Sequence, residues 1–397
     1  MAKPLEGIRV LDLTWVLSGP YATMILCDLG AEVIKIERPI VGDIGRGNGP
    51  HVNGVSTYFL SLNRGKKSII LNLVSPEGKE LFLRLVKQAD IVVSNYVPGT
   101  MEKLGIGYDI VKKHNPRIIY AMCSGFGQNG PYKNKPALDV IVQAMGGIIS
   151  ITGETGRPPV RPGVSLGDIT AGLYMTIAIL AALQERSVSG QGQMIDISML
   201  DCQVALQENA FVRYLTTGEI PKPLGTRHPV FTPFQVFPTK DGYVAVATMG
   251  GVQDQWPIFC TIIGRTDIID DKRFETGWLR SKNNDVLEPI LNEAMGKKST
   301  REWIEEFEAA SLACGPVNTI DKVAADPQIK SRDMIVGVHH QTGGYFKIVN
   351  NPIKFSRTPC VVERASLGLG DNTEEVLKGL LSFSDQEIDK MRSSGVI

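Results

Sequence analysis

Much of what would mark a specialised chain is missing here. Across 397 residues there are six cysteines, at Cys27, Cys123, Cys202, Cys260, Cys314 and Cys360, and no two form a C-x-x-C pair. That excludes a cysteine zinc motif and argues for reduced thiols rather than a disulfide framework. The five histidines, His51, His114, His228, His339 and His340, include no H-x-x-x-H or His/carboxylate cluster, so no metal is expected. There is no excess of either charge: Lys plus Arg and Asp plus Glu both total 42. Such neutrality speaks against nucleic acid or an anionic membrane as a general partner. The opening MAKPLEGIRV lacks a charged-then-apolar leader. The strongest apolar run, from Ile169 to Leu183, is too short to span a bilayer. A cytoplasmic enzyme is the expectation.

The length exceeds a usual single core, so two domains are expected. The first part alternates strand and helix signals. Ile8–Leu13 reads as a strand, Tyr21–Leu29 as a helix, and EVIKIE at Glu32–Glu37 as a second strand. Further strands are read at 66–73, 90–94 and 117–123, with Ser75-Pro76-Glu77 opening a helix between the first two. This rhythm predicts an α/β fold with a parallel sheet and crossover helices, Rossmann-like in architecture. The turn LTWVLSGPYAT lacks the G-x-G-x-x-G of a dinucleotide site. Ligands of such sheets bind beyond the carboxyl ends of the strands, where loops 14–20, 38–51, 95–99 and 124–136 gather. Residues 1–215 are assigned to a large domain, the proline-rich 216–238 to a linker and 239–325 to a smaller α/β domain. Residues 326–397 form a segment returning to the first.

Asp168 lies where the turn-rich VRPGVSLG enters the apolar run from Ile169 to Leu183. A helix apolar on nearly all sides reads as buried. Asp is a preferred N-cap, and the helix dipole favours its anion. The same position suits a nucleophile, which must be ionised. From the residues alone, a plain cap and a nucleophile both remain open.

The segment PPVRPGVSLGDITAGLYMTIAILAALQERSVSGQGQMIDISMLD resembles the nucleophile region of the class III, formyl-CoA transferase-like, CoA-transferases. The opening PLEGIRVLDLTWVLSGPYATMILCDLGAEVIKIERP is also similar to that family. The resemblance implies that Asp168 attacks an acyl-CoA and passes through an anhydride and an aspartyl-CoA thioester. Coenzyme A thioester is then a substrate, with no further cofactor and no metal. It implies CoA contacts at Val16, Leu17, Ser18, Arg38, Leu71, Asn72, Leu73, Val74, Asn95, Tyr96, Val97 and Lys103. It also implies an intertwined, ring-like homodimer acting on acyl-CoA and carboxylic acids. Two departures from formyl-CoA transferases make oxalate or formate doubtful: Leu17-Ser18 replaces Gln-Ala, and Thr248-Met249-Gly250-Gly251 replaces a four-glycine loop. VRPGV, GTRH and TPFQVF are most similar to the succinate/glutarate-type members. A dicarboxylate acceptor needs a cation, and Arg161, Arg227 and His228, with Gly250 and Gly251, are the candidates for the substrate side. The rival reading is an acyl-CoA racemase, which pairs the Asp with a His about thirty residues earlier. KPALDVIVQ carries Leu138 and Asp139 there, and no His. A non-catalytic CoA-binding protein is a further alternative.

Overall fold

In the computed structural model, six apolar runs of the first part become strands of one wholly parallel sheet. They are β1 (Arg9–Asp12), β2 (Glu32–Glu37), β3 (Lys67–Ile70), β4 (Ile91–Ser94), β5 (Ile119–Ser124) and β6 (Met194–Ser198), in the order 3-2-1-4-5-6. That is the doubly wound order whose direction reverses between β1 and β4, where such sheets bind ligands. The structure describes residues 3–248, 254–360, 362 and 364–397.

The central strands β1, β4 and β5 read as almost continuous apolar runs because both faces are covered. Val10, Ile91, Val93, Ile119 and Ala121 pack into one layer, and Leu11, Val92, Tyr120 and Met122 into the other. The crossover helices are α1 (Ser18–Asp28), α2 (Thr57–Asn63), α3 (Pro76–Val86), α4 (Thr100–Lys103), α5 (Tyr108–His114), α6 (Asp139–Met145), α7 (Leu166–Ser189), α8 (Met199–Leu206) and α9 (Glu208–Thr217). Ser75 caps α3 by accepting from Gly78 N–H, with Pro76 in its first turn.

Helix α7 departs from expectation twice. It has 24 residues, beginning at Leu166 rather than near Ile169, and is long and apolar enough to cross a membrane by composition. It is also not buried all round. Gly172, Met175, Ile179 and Arg186 face inward, while Leu173 and Ile177 are exposed in the single chain. Arg186 holds Asp90 at 2.9 Å, as a core helix of the sheet layer does.

The chain divides into two units. The first comprises 1–148, 161–219 and 327–397; the second comprises 149–160 and 220–326. This differs from the contiguous assignment of 1–215. Residues 149–160 join the second unit because Gly225 N–H donates to Gly153 O at 2.7 Å and Thr155 Oγ1 to Pro223 O at 2.8 Å. Nor is 216–238 wholly a linker: it ends in strand β7 (Phe234–Pro238), which pairs with β8 (Tyr243–Ala247), and β8 with β9 (Ala313–Pro316), all antiparallel. The core of the second unit stacks Phe259 on Phe307 and Phe307 on Trp303.

Candidate active site

Asp168 occupies the third residue of α7, not its cap; the cap is Ser165, whose side chain makes no cap bond. Asp139, at the start of α6, does that work from outside the helix, its Oδ1 accepting from Gly167 N–H at 2.9 Å. A Cβ at Gly167 would lie 2.6 Å from the Val142 side chain, so only glycine lets α6 come this close. At Gly172 a Cβ would meet Ser18 O at 2.8 Å, so glycine also brings α1 against α7. Ser18 consequently lines the cavity that holds Asp168, where its N–H and hydroxyl favour the charged carboxylate.

Those two donors do not offset the loss of water. Burial, then the like charge of Asp139, push the Asp168 carboxyl up to about 6 against the pull of Ser18 and Arg161. The cap-and-dipole expectation of an easily ionised group is thus corrected: desolvation outweighs the dipole. Near neutral pH the group is still mostly ionised.

Two cavities meet at the switch point. One, of about 280 Å³, lies over the ends of β1, β2 and β4, and Arg38 lines it with Thr14, Trp15, Asp43 and Tyr96. The other, of about 140 Å³, holds Asp168, with Val16, Leu17, Ser18, Asn95, Tyr96 and Val97 on its walls. Trp15 and Tyr96 line both and pack edge-to-face at 5.4 Å between centroids. Asn95 ties the two loops together, accepting from Trp15 N–H at 3.0 Å and donating to Trp15 O at 2.8 Å and Ser18 Oγ at 3.2 Å. Leu71, Asn72, Leu73, Val74 and Lys103 line neither. Leu71 is core, Asn72 bonds the chain end at Gly395 O, and Val74 and Lys103 are exposed.

Arg161 was expected to be available to a substrate carboxylate. Instead Asp139 Oδ2 accepts from its Nε at 3.0 Å and its Nη2 at 2.7 Å, and Nη2 also reaches Ser165 Oγ. Gln143 donates to the same oxygen at 2.7 Å. Arg227 and His228 belong to the second unit. Arg227 Nε donates to Leu224 O. His228 Nδ1 accepts from Val230 and Phe231 N–H at 3.2 and 3.1 Å, which makes it a neutral Nε2–H imidazole that organises its turn. Gly250 and Gly251 lie outside the described residues.

Tyr58 escaped the sequence reading. Its phenol on α2 is pushed up to about 12 by burial and by Asp168, Asp43 and Asp139. Asp139 was noted only for standing where a racemase keeps its His; its hold on the start of α7 was not read from the sequence. Among the described residues, no group of three or more His, Cys, Asp or Glu could hold a metal.

A doubly wound sheet, a strand-end cavity with Arg38 on its wall and a half-occluded carboxylate at a helix start point to an α/β enzyme that acts on a ligand at the switch point. Sequence comparison carries this further. The sequence model described as CoA-transferase family III matches residues 5–373. The chain is 39% identical over 396 residues to the succinyl-CoA:glutarate CoA-transferase of Mus musculus, covering 100% of this chain and 90% of that one. It is 40% identical over 354 residues to the acetyl-CoA:oxalate CoA-transferase of Acetobacter aceti, covering 89% of each. The crystal structure of a CAIB/BAIF family protein from Brucella suis superposes with a TM-score of 0.84 at 36% identity, covering 96% of this chain and 100% of that one. The chain belongs to CoA-transferase family III.

Proposed function

We propose that this protein moves CoA from an acyl-CoA donor, succinyl-CoA in the first instance, to a dicarboxylic acid of about glutarate size. The observation that carries the reading is the Asp168 carboxylate: partly occluded, beside Ser18, and opening onto a cavity next to the one Arg38 lines. A carboxylate so poised is ionised near neutrality yet poorly solvated, which favours its use as a nucleophile. Its oxygen attacks the thioester carbonyl and expels CoA thiolate, leaving an acyl-aspartyl anhydride. The thiolate then attacks the aspartyl carbonyl, releasing the donor acid and forming aspartyl-CoA thioester. The acceptor carboxylate repeats the two exchanges in reverse, so carboxylate and thioester are conserved overall. Holding CoA at Arg38 keeps the sulfur beside Asp168, and this proximity is the main catalytic contribution.

Both relatives carry dicarboxylate acceptors in their names, glutarate and oxalate. Arg161, whose charge acts on Asp168, suits a distal carboxylate, which would compete with Asp139 for the guanidinium fork. Asp139 does not suit the second base of a racemase, because its oxygens already accept from Gly167, Gln143 and Arg161. The exposed Leu173 and Ile177 on α7, with Leu215 and Ile220 beyond it, favour the homodimer.

The test is intact mass after incubation with succinyl-CoA, followed by peptide mapping. The expected result is an increase equal to CoA less water, on the peptide that contains Asp168. An unmodified chain, or an adduct on another residue, overturns the reading.

A further inference from the structure

Val16 has φ 63°. A β-branched residue is sterically disfavoured in that left-handed region. Such a conformation persists only where the surroundings over-determine it. Here they do. Thr14 O accepts from Lys35 Nζ at 2.7 Å, Trp15 is held on both sides by Asn95, and Val16 N–H donates to Asp43 Oδ1 at 3.1 Å. Lys35 Nζ and Asp43 Oδ2 pair at 2.9 Å with side chains only 1% and 2% exposed. Two residues after Val16 comes Ser18, which lines the same cavity as Asp168 and packs against α7 at Gly172.

We propose that Lys35 and Asp43 are positioning residues: their buried ion pair forces Val16 into the left-handed turn that aims the Ser18 N–H and hydroxyl at Asp168. The proposal rests on Asp168 being the nucleophile. A buried ion pair yields little net stability compared with well-packed apolar side chains. What this one supplies is geometry. Lys35 comes from the middle of β2 and Asp43 from the loop after it, so the clamp is anchored in the sheet rather than in the loop it holds. Asp43 also caps the following turn by accepting from Gly45 N–H at 2.8 Å, which fixes its own carboxylate. Without the pair, the turn relaxes toward a conformation valine prefers, and Ser18 moves off the carboxylate.

The experiment measures kcat and KM for succinyl-CoA, with glutarate as acceptor, on the full chain. Lys35→Met and Asp43→Asn are introduced together, so neither charge is left unpaired. The expected kcat is about 100-fold lower, the scale of a misplacement near 1 Å, with a melting temperature close to wild type. Adding Val16→Gly should then recover roughly tenfold in kcat, because glycine adopts φ 63° without the steric cost and repopulates the aimed turn. A merely structural pair would not give that recovery. Should the double variant fail to fold, Asp43→Asn alone serves. Lys35 then keeps Asp12 and Glu37 as nearby carboxylates, and a smaller loss with the same partial recovery by Val16→Gly is expected. A folded pair variant with kcat near wild type overturns the proposal, as does failure of Val16→Gly to restore rate. Absence of any Asp168 adduct in the wild type overturns the functional reading itself, and the positioning role with it.

Discussion

Asp12 and Asp168 are both occluded carboxylates in the same unit, and they behave in opposite ways. Asp12 ends β1 and is fully buried, yet it is held well below the usual carboxylate range. Burial works against its charge, but Lys66 at 3.1 Å, Lys35, and the hydroxyls of Thr14 and Thr23 more than offset it. Asp168 has only Ser18 and Arg161 to set against burial and Asp139, and is pushed up to about 6. Saturating a carboxylate with cations makes it a strut. Leaving it short of them raises it, as suits the nucleophile we propose.

Substituting the two residues separates these roles. Asp168→Ala should lower kcat by at least about 10⁴-fold, as loss of a covalent nucleophile does, while the melting curve stays intact. Residual turnover near wild type would break the comparison at once. Asp12→Ala should instead cost about 3–5 kcal/mol of stability, since Lys66 is left buried without its partner. Urea unfolding measures this, and a loss below about 1 kcal/mol would show that Asp12 is no strut.

The pH dependence sharpens the contrast, because the signs differ. A folded-state value raised from 3.8 to about 6 means that ionised Asp168 weighs against folding. Its protonated form is favoured at low pH, and that advantage is lost as pH rises through 6. Asp168→Asn should therefore stabilise the protein at pH 8 by up to about 3 kcal/mol, with the gain fading below pH 6 toward pH 4. Denaturation of both proteins at the two pH values decides it; equal stability at pH 8 would mean the carboxylate is not destabilised. Asp12, depressed in the fold, contributes in the opposite sense, its stabilisation being lost only in strong acid.

The smallest effect concerns Arg161, which pairs with Asp139 at 2.7 Å. Arg161→Ala should cut turnover of glutarate by roughly 30-fold, the kinetic equivalent of about 2 kcal/mol for a lost charge partner. Turnover of butyrate should change little. Equal losses on both acids would move the specificity elsewhere.

Most of the parallel sheet was legible because its strands are short, largely apolar and bounded by loops, and β2, α1 and the start of α3 were readable from local residues alone. Helix α2 was missed inside the glycine-rich stretch 39–63, where its pattern spans only seven residues. Strand β9 was missed because a four-residue edge with Gly and Pro has almost no pattern of its own. Lys35 offered one neglected signal: a lysine between Ile34 and Ile36 in a strand buried on both faces must have a partner.

What the chain determined by itself is therefore what local pattern can carry: the alternation of strand and helix, the strand-end loops, and an aspartate at the entry to a long apolar helix. Tertiary structure alone decided the rest. The joining of 149–160 to the second unit rests on bonds to residues about seventy positions away. The engagement of Arg161 by Asp139, and the difference between Asp12 and Asp168, are likewise long-range. The two aspartates have the same intrinsic acidity. Which is held ionised and which is pushed up depends on desolvation and on the charges brought around it, and those come from strands and helices far apart in the chain.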